Sequence, residues 1–171
     1  MTSLFPHPAY AEEQPHARTI LYLHVIRAGT QAAALVATVT ATASSLYYRP
    51  RSLAAFVPRL IIHSARAVPI GIVFSGLATA GRMYGREQIE WQDRTWRLLE
   101  NKPQERADWW AIGGGVGGAV AGVWGVRRGV LPGVVRGRYL GRTAKLVLGG
   151  AGVGMGPVGV GLGQVYTGLK G

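Results

Sequence analysis

Residues 109–126 read WWAIGGGVGGAVAGVWGV, with no Asp, Glu, Lys or Arg, and with Gly114, Gly118 and Gly122 spaced by four. Positions four apart lie nearly one above another along a helix. The stretch therefore predicts a helix with one face stripped of side chains, the pattern by which helices in a bilayer approach closely. Three further stretches are equally uncharged: Ala28–Tyr48, Ala67–Gly81 and Leu146–Leu169. Crossing roughly 30 Å of hydrocarbon takes about 20 apolar residues. The second stretch is short, but Leu60–Tyr84 reaches across if Arg66 and Arg82 snorkel to the two interfaces. The expected fold is an all-α membrane protein: four glycine-rich transmembrane helices over about 26–48, 60–84, 109–127 and 145–168, with a polar helical loop between the second and third. Residues 1–18 read as a polar, proline-punctuated tail and residues 19–171 as the four-helix domain.

The composition agrees with this patterning. Glycine accounts for 26 of 171 residues, without the three-residue period of collagen and without a Pro/Ser/Gln tract. Mean hydropathy is only +0.16, because glycine and arginine dilute apolar residues that are concentrated in blocks. The net charge of +11 suits nucleic acid in a soluble protein, yet here the basic residues sit in the connections, where they meet anionic headgroups and set orientation. No basic stripe is interleaved with stacking aromatics, so nucleic acid is not an expected partner. There is no cysteine, which excludes disulfides and thiolate chemistry. His7, His16, His24 and His63 lack ligand spacing and read as solvent or interface residues. The first 27 residues carry Glu12 and Glu13 and few arginines, unlike a cleaved transit peptide.

Small residues at a spacing of four recur in each span. The first carries Gly29 and Ala33, the second Gly71 and Ser75, the third Gly114, Gly118 and Gly122, and the fourth Gly152 with Gly156 and Gly159 with Gly163. These are the expected helix-packing residues. Pro157 is expected to kink the fourth helix, and Pro50 and Pro58 to keep residues 49–59 out of the second. Arg49, Arg51, Arg127, Arg128, Arg136 and Arg138 are the expected lipid-headgroup residues. Between Arg82 and Asp108 lie six basic and six acidic residues. This loop is expected to present Trp91, Trp96 and Asp108 toward a partner, with Asp108 also suited to cap the helix that follows. By net charge, both termini and this central loop fall on one side and the two basic connections on the other.

Chemistry is harder to find. Gly113–Gly118 satisfies GxGxxG formally, but it follows no strand, and no acidic residue occurs after Asp108, so a dinucleotide site is excluded. Walker lysines, HExxH and nucleophile elbows are missing. No catalytic residue, cofactor, metal or small-molecule substrate is expected. Hydroxyls at Thr38, Thr40, Thr42, Ser44 and Ser45, with Gln164, are the only residues that could wet a channel.

The stretches GREQIEWQDRTWRLLEN (85–101) and ERADWWAIGGGVGGAVAG (105–122), together with the four glycine-rich spans, resemble small four-helix accessory subunits of mitochondrial respiratory complex I. The likeness is to the Tim-like type related to the inner-membrane translocases, and to fungal subunits in particular. It covers about residues 20–165 in architecture. A Tim-type signature pairs an arginine with an aspartate four residues later, ahead of a glycine run; here Asp108 precedes the run, but position 104 is Gln. The resemblance implies a non-catalytic subunit that packs against other membrane-arm subunits and holds anionic phospholipid such as cardiolipin. It also implies the mitochondrial inner membrane, with both termini in the intermembrane space. A Tim-type translocase or channel component is the alternative.

Overall fold

The computed structural model describes residues 4–48, 52–128 and 142–158. Among these there is no strand and there are five α-helices: α1 (Ala17–Tyr47), α2 (Leu53–Arg82), α3 (Gln88–Glu100), α4 (Lys102–Arg127) and α5 (Arg142–Val153). A π-helical turn, Gly154–Val158, continues α5 and contains Pro157. A 3-10 turn at Ala11–Glu13 precedes α1.

Several boundaries differ from the expected ones, for local reasons. Helix α1 starts at Ala17, so Thr19–Arg27 belongs to the same helix as the first apolar stretch. Helix α2 starts at Leu53, where the Ser52 hydroxyl accepts from Ala55 N–H at 3.3 Å. Pro58 and Pro69 both lie inside it. Pro58 frees the carbonyl of Ala54, which is at the exposed end of the helix and remains open to solvation. Helix α4 starts at Lys102 rather than Trp109. Asn101 forms its cap: the side-chain oxygen accepts from Gln104 N–H at 3.2 Å and the carbonyl from Glu105 N–H at 3.1 Å. Pro103 is harmless there, because N–H groups in a first turn have no partner within the helix. Asp108 thus lies well inside α4 and caps nothing.

The long helices form two antiparallel hairpins. Gly29 of α1 meets Ser75 and Gly71 of α2, while Thr40 meets His63. Gly114, Gly118 and Gly122 of α4 meet Gly154, Gly150 and Leu146 in that order. The hairpins join through α2 and α5, which run parallel, with Gly149 on Ile61 and Gly152 on Ser64 and Val68. The end of α1, the start of α2, the end of α4 and the start of α5 therefore lie at one end of the bundle.

Helix α3 lies at the other end and closes on the N-terminal segment. Its buried residues Trp91, Thr95 and Leu99 fall at a spacing of four. Trp91 packs on Ala17, Met83 and Tyr22, with Arg18 over its ring. The Trp96 indole donates to the Pro8 carbonyl at 3.0 Å and stacks on His7. Thr95 donates to the Ala17 carbonyl at 2.9 Å, and Gln92 to that of Glu12 at 2.6 Å. Within the chain, Trp91 thus packs on α1 and Met83, and Trp96 on His7 and the Pro8 carbonyl.

Among the described residues, two helices, α1 and α2, are long and apolar enough to cross a membrane by length and composition. Helix α4 has the length, about 39 Å at 1.5 Å per residue, but its glycines and tryptophans hold its hydropathy down. The apolar helix Leu146–Gly156 is too short within the described residues. The expected set of four spans is thereby reduced to two that meet both criteria. Trp96→Ala should expose the N-terminal segment: limited proteolysis should cut before residue 16 markedly faster than in the wild type, with helicity by circular dichroism nearly unchanged.

Candidate functional site

The side chain of Asp108 is fully buried, and Arg27 is 6% exposed. They form an ion pair at 2.7 Å from Arg27 Nη2 to Asp108 Oδ1. His24 Nδ1 lies 3.3 Å from Asp108 Oδ2. An ionised carboxylate can only accept, so Nδ1 is the protonated nitrogen in this contact. Gln104, one turn before Asp108, donates to Oδ1 at 3.2 Å. On the other side, Arg27 Nη1 donates to Gln31 Oε1 at 2.7 Å, and Gln31 Nε2 donates to the Met155 carbonyl at 3.3 Å. The chain of contacts runs from α4 through α1 to the π turn.

The sequence places these groups by helical spacing. His24, Arg27 and Gln31 are three and four residues apart on one side of α1, and Gln104 and Asp108 are four apart on α4. Spacing along the sequence reads Asp108 as a cap and His24 as a solvent or interface residue, and it gives Arg27 no partner. The structure brings all three together. A basic residue and an acidic one, each flanking an apolar stretch, were the available signal; which two helices met was not. Gln104 occupies the position four before Asp108, and α1 supplies the cation.

The small-residue faces surround this cluster. A methyl group added at Gly118 would fall on the Gly150 carbonyl, and one at Gly154 on the Gly114 carbonyl. At Gly71 it would meet Thr30 and Ala33, and at Gly122 the Leu146 carbonyl. Gly156 sits 3.0 Å, by the same construction, from the Ala34 methyl. The expected residues Gly29, Ala33, Gly71, Ser75, Gly114, Gly118, Gly122, Gly152 and Gly156 are therefore all at contacts between helices of this one chain. Gly159 and Gly163, like Arg49, Arg51, Arg136 and Arg138, lie outside the described residues. Arg127 and Arg128 are exposed at the end of α4.

Not every glycine is used. Gly113 and Gly117 have nothing within 4 Å of an added methyl. They face an apolar cavity of about 630 Å³ between α2, α4 and α5, lined also by Leu60, Ile61, Trp110 and Val153. Of the residues considered for a water-lined path, Thr38, Thr42 and Ser45 each donate to the carbonyl four residues back in their own helix, and Gln164 lies outside the described residues. No group of three metal-ligating side chains occurs among the described residues.

Residues 9–140 match a family model described as a protein of unknown function, DUF1757. The chain belongs to this family. No curated protein and no solved structure matches the chain. The DUF1757 match takes in α1 to α4, and with them both members of the ion pair, and ends before α5.

Breaking a buried ion pair from one side leaves a charge without compensation and costs about 3–5 kcal/mol, whereas replacing both partners with apolar groups costs far less. Arg27→Leu and Asp108→Leu should each destabilise by about that amount, and the double variant by clearly less than their sum. Denaturant unfolding of the purified chain in mild detergent measures this, and strictly additive losses would show that the two groups do not act as a pair.

Proposed function

We propose that this chain is a non-catalytic accessory subunit of a membrane complex, the membrane arm of mitochondrial NADH:ubiquinone oxidoreductase, where it packs against core subunits and lipid. One observation carries the membrane part: the distribution of side chains is turned outward. Gly, Ala, Ser and Thr make most of the close contacts between the long helices, with Ile20, Ile61, Val68 and Leu146 buried beside them, while Val36, Val39, Ile70, Phe74, Leu77, Val116 and Val120 are exposed. In water such a surface would be a liability, since exposed apolar patches of this kind mark contact with a membrane or another protein. In a bilayer it is the expected face, because lipid tails are as apolar as leucine and helices associate through close packing instead.

On this reading α1, α2, α4 and the sequence span of about 145–168 all cross the bilayer. The low hydropathy of α4 is supplied by its glycine faces being covered, by α5 on one side and by a neighbouring subunit on the other. The acidic residues, Glu12, Glu13 and six more between Glu87 and Asp108, all occur at or near the end that holds α3. The opposite end carries Arg59, Arg127 and Arg128, which supports placing it in the matrix, with α3 and the N-terminal segment in the intermembrane space. The assignment to complex I and to the inner membrane is supported by the resemblance of residues 85–122 to its Tim-like accessory subunits.

Mild-detergent extracts of mitochondrial membranes, separated on native gels and identified by mass spectrometry, test the proposal. Co-migration of the chain with redox core subunits is expected; co-migration with import components would replace this reading with the translocase one. Two glycine variants separate folding from assembly. Gly118→Leu should unfold the α4–α5 contact and remove the chain itself. Gly117→Leu, on the open face, should leave a folded chain but reduce its amount in the large complex severalfold.

A further inference from the structure

A second groove, of about 360 Å³, runs along the outer side of α4 where α5 begins. Its wall is Ala119, Val120, Val123, Trp124 and Val147, and Arg127 lines it at the end of the helix. Arg128 lies over the Trp124 ring at 5.3 Å. The groove is thus apolar along its length and cationic at one end, with an aromatic ring between, which is the polarity profile of an amphiphile. Its volume falls at the lower end of ligand pockets, roughly 300–1,000 Å³.

The charge balance says which amphiphile. All eight acidic residues of the chain precede residue 109, and they belong to the N-terminal segment, to α3 and its approach, or to the first turns of α4. Arg127 and Arg128 lie at the far end of α4, about 28 Å from Asp108 at 1.5 Å per residue. The carbonyls that end α4 offer a partial charge of roughly −0.5, too little for two guanidinium groups. Neither arginine forms a salt bridge among the described residues, so the complement of this end of the groove is an anion.

We propose that this groove is a site for an anionic phospholipid, with the phosphate held by Arg127 and Arg128 and one acyl chain lying along Val120, Val123 and Val147. The site rests on the reading that the chain lies in a bilayer. Guanidinium groups suit it because their planar donors match phosphate oxygens in pairs. Trp124 serves twice: its ring steadies Arg128 through a cation–π contact, and its position at the helix end is that of an interfacial tryptophan.

The test uses the full chain purified in mild detergent and offered dioleoyl phosphatidylglycerol or dioleoyl phosphatidylcholine, with bound lipid read by native mass spectrometry. The wild type should retain the glycerol lipid preferentially. Arg127→Gln and Arg128→Gln should each lower that retention about fivefold, with little effect on the choline lipid. Val120→Trp, which fills the groove without changing charge, should lower retention of both lipids. Arg97→Gln, in α3 at the opposite end, should change neither. Unaltered retention in both the arginine and the groove variants would overturn the site, as would equal loss with Arg97→Gln. Alkaline carbonate extraction separates the two levels: a chain released from membranes as soluble protein overturns the bilayer reading, whereas an integral chain whose lipid retention ignores Arg127, Arg128 and Val120 overturns the lipid site alone.

Discussion

The helices of this bundle touch backbone to backbone, and most of the architecture follows from that. Where Gly118 faces Gly150 and Gly114 faces Gly154, there is no room for even a methyl group. At such separations dispersion contacts run along the whole helix instead of between interleaved side chains. Many of the large apolar residues then lie on the outer faces, with Ile20, Ile61, Val68 and Leu146 among the few buried between the long helices. The same proximity keeps short polar side chains within their own helices: Ser75 and Thr79 each return a hydroxyl to the carbonyl four residues earlier.

The two hairpins meet mainly along α2 and α5, where Gly149 lies on Ile61 and Gly152 on Ser64. Helices α1 and α4 otherwise touch little, and the pair Arg27–Asp108 is their chief link. A buried ion pair adds little net stability, since the desolvation of both groups offsets their attraction. It does make any other register costly, because a shift would leave two charges buried apart. Gln31 extends this control to the π turn by donating to Met155. Pro157 within that turn removes one N–H from the ladder, and the helix widens there to five-residue spacing.

The two ends of the bundle are chemically opposite. One is finished internally: α3 and the N-terminal segment satisfy each other through Gln92, Thr95 and Trp96, and the carboxylates are distributed among basic neighbours. Among the described residues the other has cations and no carboxylate, with apolar grooves leading away from it. This asymmetry follows from chain order, since α1 and α4 descend toward the same end and all the acids are spent before residue 109.

By itself the sequence determined the helical class, the positions of the apolar stretches, the polar helix between them and the glycine faces, because all of these depend on local spacing. It also determined the charge asymmetry, which needs only a count along the chain. Helix starts were legible only in part. Asn101 and Ser52 cap through specific side-chain geometry, so α4 gained the turns that hold Gln104 and Asp108, and α2 took in Pro58, which reads as a breaker. What tertiary structure alone decided was partnership. Trp91 met α1 and Met83 while Trp96 met the residues before α1, Gly113 and Gly117 were left facing a cavity while Gly114 and Gly118 met the backbone of Gly154 and Gly150, and Arg27 met Asp108 across 81 positions. Spacing says which residues share a face of a helix, whereas the facing helix is chosen by the packing of the whole bundle.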